Sequence, residues 1–542
     1  MGLELPSDNA GFYEMEDVNF SDSELVHHVR DALKSVALGD SDSYDQLVGV
    51  MHHTRRLAPD EVALLVTSLK ALSGAVSYID VVHHESLLSS IFGMSMWNLG
   101  PDAMDALVEL IISLAASNGK YVDSSLDMLV KNFMPPYYFL DTLRQPHGLT
   151  RKNQVLTRVH SALKDITDLV PLAPVRLLPI IIQNMPSMYI KDPEKSTQFP
   201  IVIYVENMLK LESSAIGELV GNTILMAVVD RLIDLDVEIG WDDNLPDESN
   251  KGIFEMELED KETTDNAENE ASELQGEFFT RKSLGGNTNA EKLDSLMVLT
   301  FEHLESCDRG GRLIEVFETL LQSFQITVLN AYKSKFAQFV MFYACSLNPE
   351  SCGVRFPSML ADIFTCSIYP PVTRMSAVAY LASYLSRGKF LSASLVASML
   401  KRVVDWCSEY CQIQDGHINY KSSSSFLFWM PGHHVCALLP YEINDGCSST
   451  QIRASPYAYR AYLEASIESI KVNCIHYKKA GQVCLPSIVK EFLRQAKAAC
   501  LFTVSETFVF NDMLESELSK AFGGMERLDT FFPFDPCLLR NC

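Results

Sequence analysis

Pro101-Asp-Ala-Met-Asp-Ala-Leu-Val-Glu-Leu-Ile-Ile-Ser-Leu-Ala-Ala-Ser117 decides the fold class. Apolar residues recur at Met104, Leu107, Ile111 and Leu114, the spacing of one helical face. Asp102, Asp105, Glu109 and Ser113 mark the wet face. Pro101 suits a first helical turn, where its missing N–H would have no partner anyway, and Asp102 and Asp105 complement the helix dipole. The same pattern returns at Pro59–Val66, Leu225–Leu235, Lys292–Leu304 and Ser487–Leu501, and Phe336–Leu347 is apolar nearly all round, as a central buried helix should be.

Short punctuation by Pro, Gly or Asn-Gly between these runs predicts consecutive antiparallel helix pairs. No rigid sequence period marks a well-conserved repeat class. An all-α, HEAT-like helical-repeat solenoid tolerates that, because each hairpin need only bury its face on its neighbours. A compact all-α domain is the alternative. From Asp242 to Glu277 fourteen acidic residues face only Lys251 and Lys261. Self-repulsion and scarce apolar groups predict a solvated, disordered loop, and helical pattern resumes after it. The expected organisation is a flexible N-terminus (1–20), N-terminal repeats (21–241), the acidic loop (242–290), C-terminal repeats (291–526) and an extended aromatic segment (527–542).

The net charge of −26 argues against a strong grip on nucleic-acid backbone, so direct DNA binding is expected to be weak or absent. A basic protein partner is the more natural electrostatic expectation. The N-terminus has no basic or apolar signal region, and Pro6 stands where a myristoylation motif following Gly2 needs Ser or Thr. No apolar run approaches the ~18 residues of a membrane span, so a soluble intracellular chain is expected. Thirteen cysteines, an odd count without a regular framework, suit a reducing compartment. Cys407 and Cys411 lack a second pair to complete a zinc site, and the histidine pairs at 27–28, 52–53 and 83–84 point apart if helical. No phosphate loop, dinucleotide fingerprint, nucleophile elbow or HExxH occurs. No enzyme, cofactor, small-molecule substrate or metal is expected.

The segment Leu528-Asp-Thr-Phe-Phe-Pro-Phe-Asp-Pro-Cys537 is a poor helix and a poor strand, because Pro533 and Pro536 fix φ and remove donors. It reads as an extended peptide whose Phe531, Phe532, Pro533, Phe534, Asp535 and Pro536 dock on something already folded. It resembles the LDTFFPFDPC signature of the RNA polymerase I-specific initiation factor family, also called transcription initiation factor IA. Further similar pieces follow in order: Leu129–Pro136, Tyr204–Leu211, Leu232–Val237, Lys292–Met297, Phe336–Ser346, Tyr380–Leu391 and Val483–Val489.

The resemblance implies a HEAT-like factor that binds RNA polymerase I and links it to promoter-bound core factors at ribosomal RNA genes. It also implies a nuclear, chiefly nucleolar, location and control by phosphorylation of serines in the first half of the array. Ser113, Ser117, Ser124 and Ser125 are the candidates, the first two on or beside the wet face of their helix and the other two just beyond the Asn118-Gly119 turn. The resemblance further implies a tail beyond the signature, whereas this chain stops at Cys542 with only dibasic pairs such as Arg55-Arg56 and Lys478-Lys479 as import signals. A generic HEAT-type scaffold for transport or chaperoning is the competing reading; it explains the helices and the acidity but not the signature.

One segment departs from the resemblance. Where the family has a helix similar to FYSxCQAxxYxxxFR, this chain reads Phe426-Leu-Phe-Trp-Met-Pro-Gly-His-His-Val-Cys-Ala-Leu-Leu-Pro-Tyr441. A synonymous back-translation moved by one nucleotide gives FYSGCQAIMYVLCFRM, which recovers the pattern. Residues 425–447 are therefore expected to be out of frame, and His433, His434 and Cys436 carry no functional weight.

Overall fold

The computed structural model describes residues 22–52, 58–186, 199–239, 288–331, 334–414 and 533–534. Among them every long element is an α-helix and no strand occurs, in keeping with the all-α expectation. The chain divides into two units, one of residues 1–187 and 214–220, the other of 188–213 and 221–542.

The first unit holds α1 (Asp22–Ala37), α2 (Asp42–Met51), α3 (Pro59–Ser73), α4 (Glu85–Phe92), α5 (Pro101–Ser117), α6 (Val122–Lys131), α7 (Pro146–Leu169) and α8 (Ala173–Gln183). Each helix packs on the second-next one: α1 on α3, α3 on α5 and α5 on α7 form one row, and α2 on α4, α4 on α6 and α6 on α8 form the other. Contacts of α1 with α2, α5 with α6 and α7 with α8 join the rows. Such neighbour-only packing is what helical hairpin repeats generate.

The helix that decided the fold class sits mid-row. Met104, Leu107, Ile111 and Leu114 are all fully buried, and Ala103, Ala106 and Leu110 widen the buried stripe because α3 and α7 flank α5 while α6 closes a third side. Non-helical joints are held by side chains. The Trp97 indole N–H donates to the Asn132 carbonyl at 3.0 Å, and Asn132 Oδ1 accepts from the Met96 N–H at 2.9 Å. The Arg151 guanidinium on α7 donates to the carbonyls of Met96, Trp97 and Leu99, capping the turn that leads into α5.

The second unit holds α9 (Phe199–Glu212), most of α10 (Gly217–Glu238), α11 (Thr288–Arg309), α12 (Leu313–Ile326), α13 (Phe339–Leu347), α14 (Cys352–Thr365), α15 (Pro371–Arg387) and α16 (Ala393–Gln414). Here α9 packs on α11, α11 on α13, α12 on α14, and α14 on α15 and α16. The division at 187–221 falls upstream of the acidic insert, so that insert joins α10 to α11 inside one unit. Residues 240–287 themselves lie outside the described residues, as do 1–21, Ser487–Leu501, segment 425–447, for which an out-of-frame origin is expected, and most of 527–542.

Two local expectations need correction. Helix α13 starts at Phe339, not Phe336, because the Asp236 carboxylate claims the preceding backbone. Its Oδ2 accepts from Ser334 Oγ at 2.6 Å and from the N–H groups of Lys335, Phe336 and Ala337 at 2.8, 2.8 and 3.0 Å. His83 and His84 precede α4 instead of lying on a helix. His84 is buried, with Nε2 2.9 Å from the Leu33 carbonyl, while His83 pairs with Asp80.

Candidate functional site

The four candidate serines surround the α5–α6 turn, and packing treats them differently. Ser117, on the last turn of α5, is exposed, its hydroxyl donating to the Leu114 carbonyl at 2.8 Å. Ser124 is exposed in the first turn of α6. Ser113 is half-buried, its hydroxyl 2.9 Å from that of Ser73 on α3. Ser125 is 0% exposed, and among the described residues its Oγ has no hydrogen-bond partner. Burial thus separates Ser125 from the exposed candidates. It shares the inward stripe of α6 with Val122, Leu126 and Leu129, so no kinase reaches it in the folded chain.

Charge at this turn is organised by Arg176 of α8. Its Nη1 reaches both Asp123 carboxylate oxygens at 3.1 Å and the Gly119 carbonyl at 3.5 Å. Asp123 adjoins Ser124 at the positive end of the α6 dipole, and Lys120 is exposed beside them. The accessible patch is therefore Ser117 and Ser124 framed by Lys120 and Arg176.

The terminal signature meets the fold at Pro533 and Phe534, both buried; Phe531, Phe532, Asp535 and Pro536 lie outside the described residues. Phe534 is 1% exposed and packs into the second unit's own aromatic cluster. Its ring centroid lies 5.9 and 5.0 Å from Phe339 and Phe342 of α13, 6.3 Å from Phe356 of α14, and 5.6 and 6.2 Å from Tyr380 and Tyr384 of α15. Interplanar angles of 46° to 73° are the tilted, edge-on arrangements that ring quadrupoles favour. The peptide is not extended at this point: the pair forms a turn with Phe534 at φ 58°, in the left-handed region. The body on which Phe534 docks is its own chain.

The chain matches a family profile described as "RNA polymerase I specific transcription initiation factor RRN3" over residues 18–431 and 481–542. It belongs to that family. An RNA polymerase I-specific transcription initiation factor of Mus musculus is 24% identical over 492 residues, covering 84% of this chain and 71% of the relative. The Schizosaccharomyces pombe factor is 23% identical over 494 residues, 86% of this chain and 76% of the relative. A solved structure titled as RNA polymerase I transcription initiation factor Rrn3 shares the fold, with a TM-score of 0.65 over 96% of each chain at 18% identity. The initiation-factor profile is interrupted at 432–480, which takes in most of the segment read as out of frame. No helix among the described residues is long and apolar enough to cross a membrane.

Proposed function

We propose that this chain binds RNA polymerase I and bridges it to promoter-bound core factors at ribosomal RNA genes, in the nucleus and chiefly the nucleolus. The observation that carries the reading is the family match, which spans both helical units and the terminal signature. Packing supports a bridge. Two-row helix stacking leaves long outer faces for macromolecular contact, as repeat proteins do generally.

Phosphorylation acts in this proposal through Ser117 and Ser124. A phosphoserine adds about −1.5 to −2 charge, and at Ser124 it would sit beside Asp123 and draw on Arg176. A polymerase surface complementary to the unmodified turn would then meet excess negative charge. The test is affinity purification of the full chain from cells, followed by promoter-dependent transcription in an extract depleted of the factor. Polymerase I subunits in the eluate and restored initiation are expected. Recovery of transport receptors or chaperones without polymerase would overturn the reading.

A further inference from the structure

Among the described residues one set of three metal-ligating side chains converges, and the polymerase reading makes no use of it. Glu212 closes α9, while His303 and Cys307 lie one turn apart on α11. All three are buried, at 4%, 7% and 3% exposure. His303 Nε2 stands 3.0 Å from Glu212 Oε2 and 3.5 Å from Cys307 Sγ, and all three ligand atoms lie within 4.8 Å of one another. Bonds of ~2.0–2.3 Å at tetrahedral angles place zinc ligands about 3–4 Å apart, so small side-chain shifts would close this triangle on an ion.

We propose that Glu212, His303 and Cys307 form a zinc site, with water as the fourth ligand. Thiolate, imidazole and carboxylate together select zinc over calcium or magnesium, which take oxygen donors. Arg312, at the start of α12, donates to the other Glu212 oxygen, Oε1, at 2.6 Å. It would hold the carboxylate with Oε2 towards the metal, as outer-shell partners of metal ligands do. Ser213 Oγ donates to Glu212 Oε2 at 3.4 Å, and Gly221 of α10 lies against the Glu212 stem, where an added Cβ would stand 3.3 Å from Cγ. The ion would thereby tie α9 to α11 beside α10 and α12, on either side of the acidic insert.

In the metal-free cluster, burial works against the His303 charge, but Cys307 and Glu212 outweigh it and raise the imidazole to about 9. Burial pushes the Glu212 carboxyl up, and His303 and Arg312 more than reverse this, holding it below its usual range.

The test uses the full-length chain without a histidine tag, loaded with zinc chloride alone and dialysed, with zinc measured by elemental analysis. About one zinc per chain is expected to remain, and to be lost in Cys307→Ser and His303→Gln but retained in Cys366→Ser. Arg312→Met should weaken the measured affinity by about 10–100-fold. X-ray absorption on the wild-type chain guards against a variant that misfolds: a single sulfur at ~2.3 Å with nitrogen and oxygen at ~2.0–2.2 Å is expected. No retained zinc, more than one sulfur per zinc, or an unchanged zinc content in a folded Cys307→Ser chain would overturn the proposal.

Discussion

At the scale of single residues, Phe534 illustrates how burial overrides backbone preference. A left-handed conformation costs an L-residue about 1–2 kcal/mol. Full burial of a Phe side chain returns about 1.5–3 kcal/mol, and favourable ring pairs add about 0.5–1.5 kcal/mol each. With five rings around it, the contact wins. Phe534→Ala should therefore destabilise the second unit by about 3–5 kcal/mol, and Phe534→Leu by markedly less, in denaturant unfolding. An unchanged midpoint for Phe534→Ala would show that the docking carries no stability. The particular composition of Leu528–Cys537 announced a docking peptide, but sequence could not say that its receptor lay in α13–α15, which are distant along the chain. The inward place of Ser125 is legible in the stripe Val122, Leu126, Leu129 of α6. Ser125→Asp should abolish cooperative unfolding of the first unit, because a buried carboxylate has no partner there. Ser117→Asp with Ser124→Asp should keep the fold and weaken polymerase capture. Unchanged capture would remove that pair from the proposed regulatory patch.

At the scale of elements, periodicity was a reliable guide where a helix has one dry face. The stripe of α5 is buried as spaced, and the starts of α3 and α5 fall at their prolines. The start of α13 was not legible, because an acceptor from α10, about a hundred residues earlier, overrides the apolar run there. Glu212 was equally hidden beside His303 and Cys307; only the i, i+4 spacing on α11 was a local signal. Asp236 is held by opposing effects. Burial raises its carboxyl above the ordinary range, while Ser334 and the Ala337, Phe336 and Lys335 amides pull it down. Asp236→Asn keeps an acceptor but loses charge assistance in these four bonds. Stability should fall by about 1.5–3 kcal/mol, with faster hydrogen exchange at Lys335–Ala337. Wild-type exchange at those amides would mean that α13 needs no such anchor.

At the scale of the whole molecule, two stretches test which parts of the chain the fold requires. The acidic run 242–277 offers little to pack, and closure entropy grows slowly with loop length. Replacing it with a short Gly/Ser linker should leave helicity and thermal midpoint nearly unchanged. Lost cooperativity would mean that the insert contributes structure to the second unit. The second stretch is Phe426–Tyr441, where Pro431, Gly432 and Pro440 interrupt what would otherwise be an apolar run. Each proline inside a helix costs ~3 kcal/mol. The family match lapses between 431 and 481 and then resumes through the terminal signature. Exchanging Phe426–Tyr441 for FYSGCQAIMYVLCFRM should supply one more amphipathic helix, raising both helicity and thermal midpoint. Transcripts sequenced across this region should contain the alternative frame. If every transcript encodes LFWMPGHHVC, and the exchanged protein is no more stable than the original, the segment is native to this chain and the frame-shift reading fails.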